Sequence, residues 1–150
     1  MKKIIALALV LVIATVMFAA CGGVKGEEKT QGNITVLVPD GYDIDGGIMQ
    51  SDDFARIFNP ELEISNNMQI VIVESVDEAL ENTNLYKGET PGEDVEIKAG
   101  DVTWTGVTYD VIGSKYTDVY ATIGDKVVYT HGCGFDDETL NAILGSVKVK

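Results

Sequence analysis

The most constraining feature of the sequence is an apolar run near its start. After Lys2 and Lys3, residues 4–20 contain no charged side chain, and Thr15 is the only polar residue among these 17 positions. As a helix the run would span roughly 25 Å, which is shorter than a hydrocarbon core of about 30 Å. A positive start followed by a short apolar run is the layout of a secretory signal. The folded domain must therefore be built from the residues that follow.

The apolar run ends at a cysteine. Residues 18–21 read FAAC, and this stretch resembles the lipobox of bacterial lipoproteins. The resemblance implies cleavage after residue 20 and a diacylglyceryl group on Cys21, and two acyl chains suffice for stable anchoring. The protein is then expected on the extracytoplasmic face of the cell membrane, because the N-terminal lysines stay in the cytoplasm. The alternatives for this segment are an uncleaved membrane anchor and a buried core thiol.

The segment after the apolar run is rich in glycine and charge. Residues 21–32 read CGGVKGEEKTQG and contain a single large aliphatic side chain. Such a composition cannot bury enough apolar surface to fold, and it predicts a flexible tether of about 18 Å. The sequence is therefore divided into a signal peptide over 1–20, a tether over 21–32 and one domain over 33–150, a length that fits a single domain.

The chain after the signal is strongly acidic. Without Lys2 and Lys3, nine basic residues stand against 24 acidic ones, for a formal charge of −15. Nucleic acid and anionic lipid headgroups would both repel such a surface. No nucleic-acid partner is therefore expected, and a well-solvated surface is the simplest account of the acidity.

Most of the domain has the pattern of β-strands separated by turns. Alternating and β-branched apolar residues predict strands over 34–38, 68–73, 95–99, 102–111, 116–123 and 126–130. Between the last two strands, Gly124 and Asp125 suit a two-residue type II′ turn, whose twist matches that of the flanking strands. The final pair is therefore predicted to be a β-hairpin.

Two helices are predicted by their capping residues. Ser75 and Glu78 have the spacing of a capping box, which predicts a helix over 76–83 and then a loop. Asp136 or Asp137 can cap a second helix, which carries apolar residues at helical spacing. A mostly antiparallel sheet with one or two packed helices makes the expected fold class α+β.

Three short stretches resemble the PsbP-like α/β/α sandwich. They are VPDGY at 38–42, TWTGVTYD at 103–110 and DDETLNAILGSVKV at 136–149. The resemblance implies a PsbP-like domain, and members of that group serve as binding or assembly factors. It supplies no catalytic residue. The expectation is a membrane-anchored lipoprotein that acts as a non-catalytic binding or assembly module, without a cofactor, on an envelope protein or ligand.

The main alternative is a hydrolase or redox enzyme centred on His131 and Cys133. His131 is the only histidine, so a nucleophile–histidine arrangement would have to include it. The spacing places both side chains on one face of a strand, as a candidate pair of metal ligands. Zinc takes three or four ligands, and no second Cys or His lies nearby, so no metal site is predicted. If Cys21 carries lipid, Cys133 lacks a disulfide partner and is expected to be a buried apolar thiol.

A second alternative is the capture of a cation or small solute by the acidic loop over 40–45. Asp40, Asp43 and Asp45 lie within six residues. Their spacing does not match an EF-hand loop from either starting aspartate. A turn built from Asp and Gly accounts for the same residues, so these three carboxylates are candidate ligands only.

Overall fold

The computed structural model describes residues 23–62 and 67–150, and these ranges contain ten strands and two helices. The predicted signal peptide over 1–20 and the lipidation site Cys21 lie outside the described residues. No helix within the described ranges has the length and apolarity needed to cross a bilayer. The helices are α1 (Val76–Lys87) and α2 (Asp137–Ser146). The strands are β1 (Gly26–Gln31), β2 (Ile34–Pro39), β3 (Asp43–Asp45), β4 (Phe54–Phe58), β5 (Met68–Val73), β6 (Glu93–Ala99), β7 (Val102–Val111), β8 (Ser114–Ile123), β9 (Lys126–Cys133) and β10 (Lys148–Val149).

The strands form two antiparallel sheets. The large sheet has seven strands in the order β3-β4-β5-β9-β8-β7-β6, and the small sheet has three in the order β1-β2-β10. Each described strand pairing is antiparallel. The expected fold class, α+β with a mostly antiparallel sheet, is confirmed.

The hairpins of the large sheet are closed by tight turns. Gly124 has a φ of +64° while Asp125 keeps a negative φ, which fits the predicted type II′ turn between β8 and β9. Between β7 and β8, Ile112 and Gly113 both have positive φ, at +50° and +78°. This second turn therefore has the type I′ pattern, although its sequence lacks the usual Asn-Gly pair.

The predicted tether over 21–32 is wrong for residues 26–31. They form β1, whose register with β2 runs from Gly26 opposite Pro39 to Gln31 opposite Ile34. The prediction rested on composition, which indicates how much side-chain surface a segment can bury. This edge strand is instead held by backbone hydrogen bonds to β2, and these do not depend on its side chains. Residues 26–31 therefore belong to the folded domain.

The main core lies between one face of the large sheet and a layer made of α2 and the small sheet. Asp136 begins α2, because its carboxylate accepts a hydrogen bond of 2.7 Å from the Thr139 N–H. The largest fully buried side chains of this core are Trp104, Ile34, Ile57, Met68, Ile70, Ile143 and Leu144.

Helix α1 packs on the opposite face of the large sheet. Ser75 is the N-cap as predicted, and its hydroxyl accepts from the Glu78 N–H at 3.2 Å. The Glu78 carboxylate in turn accepts from the Glu74 N–H at 2.7 Å, one residue before the cap. The helix is longer than predicted, and only Ala79 and Thr83 are buried. A helix with so narrow a buried stripe leaves part of this sheet face uncovered.

Candidate functional site

A row of polar side chains crosses the α1-facing side of the large sheet. Directly opposed residues of neighbouring strands project their side chains to the same face. The register places five such residues in line, one from each of β3, β4, β5, β9 and β8, and we call them the polar row. They are Asp45, Arg56, Gln69, His131 and Asp118.

The buried end of the polar row is a carboxylate with three hydrogen-bond donors. Asp118 is fully buried. Its Oδ2 accepts from the Tyr129 hydroxyl at 2.7 Å and from the Tyr109 hydroxyl at 3.2 Å. Its Oδ1 lies 2.7 Å from Nδ1 of His131. An ionised carboxylate only accepts hydrogen bonds, so the hydrogen of this last contact belongs to Nδ1.

The two buried tyrosines are held in the protonated state. Burial, followed by the charge of Asp118 and the hydrogen bond to it, raises the pKa of Tyr109 well above the usual range of a phenol. The same causes raise the pKa of Tyr129. Both hydroxyls therefore act as donors to Asp118 at neutral pH, and neither can serve as a base there.

The imidazole of His131 is fixed on several sides. The Tyr86 ring, from the last turn of α1, stacks on it with centroids 4.1 Å apart and planes inclined by 17°. The Tyr116 ring stacks on it at 5.2 Å. The Tyr86 hydroxyl donates to Oε1 of Gln69 at 3.1 Å, which ties α1 to the polar row. Helix α1 and strand β8 therefore position this ring together.

The other ring nitrogen of His131, Nε2, is not fully buried and has no hydrogen-bond partner among the described residues. The side chain is 14% exposed, and no described residue bonds to Nε2. Among the described residues, the indole N–H of Trp104 is the one buried side-chain polar atom that has no partner. Nε2 of His131 does not belong to that class. Because Asp118 and Tyr86 fix the ring, Nε2 is held at one position.

His131 and Cys133 lie on the same face of β9, as the sequence predicts, but they do not form a dyad. Cys133 is buried and forms no disulfide among the described residues. Its neighbour is Tyr116, whose pKa is raised by burial and then by the Cys133 thiol. The acidic partner of His131 is Asp118, which sequence reasoning missed together with the surrounding tyrosines.

The structure does not gather the acidic-loop carboxylates into one site. Arg56 holds Asp45 with two hydrogen bonds, from Nε at 3.0 Å and from Nη2 at 2.7 Å. Asp43 accepts from the Ile44 N–H at 2.8 Å. Across residues 23–62 and 67–150, no three Asp, Glu, His or Cys side chains are placed to hold a metal ion together. The hydrogen bond from Arg56 lowers the pKa of Asp45, so this carboxylate is already neutralised by a protein cation.

Calcium is expected to raise the melting temperature no more than sodium chloride of equal ionic strength. The reason is that Arg56 already holds Asp45, which leaves only general screening of the acidic surface. Thermal unfolding with each salt would measure this. A calcium-specific rise at sub-millimolar concentration would contradict the prediction, provided that replacing Asp40 and Asp43 by Asn abolished it. Those two changes leave the ion pair intact.

Comparison with known proteins identifies the fold. No family model matches this chain, and no curated protein matches it in sequence. The solution structure of PsbP (CyanoP) from Synechocystis sp. PCC 6803 is similar, with a TM-score of 0.53 and 14% identity over 89% of this chain and 99% of that one. A crystal structure from Bacteroides thetaiotaomicron VPI-5482 has a TM-score of 0.51 and 11% identity over 84% of this chain. This chain covers 48% of that second protein, about half its length. The expected PsbP-like fold is confirmed.

Proposed function

We propose that the protein is a lipid-anchored extracytoplasmic lipoprotein whose domain is a non-catalytic binding module. Its binding surface is the area around His131. The observation that carries this proposal is the unpartnered, partly accessible Nε2 of an imidazole that is fixed by a buried carboxylate and a stacked tyrosine. A group held in one orientation before binding loses little conformational freedom when a partner arrives.

The residues around His131 have the character of a protein-binding surface. Tyr86 is 44% exposed and stands beside the half-buried Gln69. Farther along the polar row, the Arg56 guanidinium lies 4.7 Å from the centre of the half-buried Phe58 ring. Tyrosine and arginine are enriched among the residues that dominate binding energy at protein interfaces. An envelope protein with a neutral or basic surface fits this area best, because the domain is acidic.

The same geometry supports binding over covalent catalysis. The hydroxyls of Tyr109 and Tyr129 are committed to Asp118 and stay protonated. The Cys133 thiol is buried beside Tyr116. No described residue is therefore presented to Nε2 as a nucleophile that it could activate.

Replacing Tyr86 by alanine is expected to weaken partner binding by about tenfold or more, as for a central aromatic residue of an interface. The change removes both the ring stacked on His131 and the hydrogen bond to Gln69. Partner recovery after cross-linking in cells that make the protein would measure the loss. Leu85→Ala is the matched control, because Leu85 is the adjacent residue and is 76% exposed. If the two variants recovered the partner equally well, the area around His131 would not be the binding surface.

Replacing Cys21 by alanine is expected to leave an unprocessed precursor. The wild-type protein should lose residues 1–20 and gain the mass of a diacylglyceryl group, since the thioether forms on the Cys21 sulfur. Intact mass spectrometry of the membrane fraction measures both changes. Normal cleavage of the Cys21→Ala variant would refute lipid anchoring. It would not bear on the binding surface, which is tested separately by partner recovery with Tyr86→Ala.

The second candidate function is a hydrolase in which His131 activates a water molecule. The 2.7 Å contact between Asp118 and His131 favours it, because a carboxylate on Nδ1 orients a histidine base in the Ser-His-Asp arrangement. Turnover of an ester or amide that is lost in His131→Gln, with the fold retained, would favour the enzyme over the binding module.

A further inference from the structure

The turn between β7 and β8 carries a residue that its own fold does not explain. Ile112 is fully exposed and has a φ of +50°. A β-branched residue in this left-handed region is a conformational outlier, and Asn would suit the first position of a type I′ turn. An exposed apolar side chain in a strained backbone stabilises neither the turn nor the core. Such outliers concentrate at functional sites.

This turn lies at the end of the domain where the chain enters. Gly113 and Asp137 both line a cavity of about 320 Å³ between the β7–β8 hairpin and the first turn of α2. A Cβ placed on Gly23 would lie 3.6 Å from Oε1 of Glu138, in the same turn of α2. The first described residue and the Ile112 turn are therefore close to the same helix terminus.

The formation of β1 shortens the link between the proposed lipid and this end of the domain. The Lys25 carbonyl accepts from the Asp40 N–H at 2.9 Å, so the chain is already tied to the domain at that residue. From Cys21 to Gly23 the chain advances two residues, which span at most about 7 Å. A lipid on Cys21 would therefore hold this end of the domain against the headgroup region.

We infer that Ile112 is a membrane contact that inserts into the interfacial region of the outer leaflet and sets the orientation of the domain. This inference rests on the proposed lipid anchor. With the anchor in place, one inserted apolar side chain restricts the rotation of a domain that is already held at the surface. Because His131 lies two residues before the end of β9, the binding surface would then face sideways, in the membrane-proximal half of the domain.

The charges at this end favour contact through the apolar side chain. The exposed Lys25 and Lys115 are accompanied by the exposed Asp110, Asp136 and Asp137. A mixture with an acidic excess provides no net attraction to anionic lipid. Zwitterionic phosphatidylcholine is therefore the suitable bilayer for a test.

The test uses the lipidated protein in phosphatidylcholine vesicles with and without brominated acyl chains. Ile112→Trp should show blue-shifted emission that the brominated lipid quenches. Ile48→Trp is the matched control, because Ile48 is also fully exposed. It lies in the loop beside Gln31, the residue of β1 farthest from Gly26, and its emission should stay unquenched. The native Trp104 is fully buried and supplies a constant background.

Three results would overturn the inference. Unquenched emission from Ile112→Trp on protein that floats with the vesicles would refute the membrane contact while leaving the anchor intact. Blue-shifted but unquenched emission would show that another protein or a second copy covers the turn. Protein that does not float, with an unmodified Cys21, would refute the anchor and the inference together.

Discussion

The replacement of Asp118 by alanine is expected to lower the free energy of unfolding by about 3–5 kcal/mol, because three hydrogen-bond donors lose their shared buried acceptor. The carboxylate is the common acceptor for the hydroxyls of Tyr109 and Tyr129 and for Nδ1 of His131. Its removal leaves three donors without an acceptor, and an unpaired buried donor costs about 1–3 kcal/mol. Domains of this size are stable by about 5–15 kcal/mol, so a loss of this size is a large fraction of the total stability.

Urea unfolding of the wild-type and variant proteins would measure this loss. Thr122→Ala is the matched control, since Thr122 lies on the same strand but is exposed and should change stability by no more than about 0.5 kcal/mol. Asp118→Asn retains one acceptor oxygen and should fall between the two. If Asp118→Ala were as stable as Thr122→Ala, the buried network would not be the element that fixes His131.

The domain is expected to lose stability steeply above about pH 10, the usual pKa of a tyrosine in an unfolded chain. Burial and the Asp118 charge raise the pKa of Tyr109 and of Tyr129 in the folded state. The protonated forms therefore contribute stability that is complete below the unfolded pKa and is lost as the pH rises from it toward the folded pKa. Each such group changes the free energy of unfolding by about 1.4 kcal/mol per pH unit in that range.

Absorbance of the tyrosinate form and emission of Trp104 would follow this transition together. Tyr109 and Tyr129 should ionise only when the domain unfolds, so their absorbance should appear with the change in emission. Tyr129→Phe should show a shallower dependence of stability on pH, because one of the two groups no longer titrates. Smooth ionisation of all six tyrosines with native Trp104 emission would contradict the prediction.

The pairing of Asp118 with His131 follows from the predicted hairpin. A two-residue loop at Gly124 and Asp125 pairs Ile123 with Lys126, and counting back along the same hairpin pairs Asp118 with His131. The hairpin and its turn were both predicted, and both are confirmed. The partner of His131 therefore lies across the hairpin on β8, and not along β9, where Cys133 stands two positions away.

Local signals were sufficient for both helices and for six of the ten described strands. The cap at Ser75, the cap at Asp136 and the periodicity of the strands each depend on residues a few positions apart, and the structure has these features. Such signals determine where elements form because backbone capping and side-chain alternation are properties of the segment alone. They also suffice for the α+β class, which follows from the order and type of the elements.

Tertiary structure alone decided the rest. Residues 26–31 form a strand because β2 offers them backbone partners, a reason that their own composition does not contain. The polar row unites residues from Asp45 to His131 only because five strands stand in one particular order and register. Tyr86 reaches His131 because α1 continues past its predicted end and packs across β9. Each of these contacts joins segments that are distant in the chain, so no local pattern specifies it, and the position of the functional side chains is fixed only when the sheet is assembled.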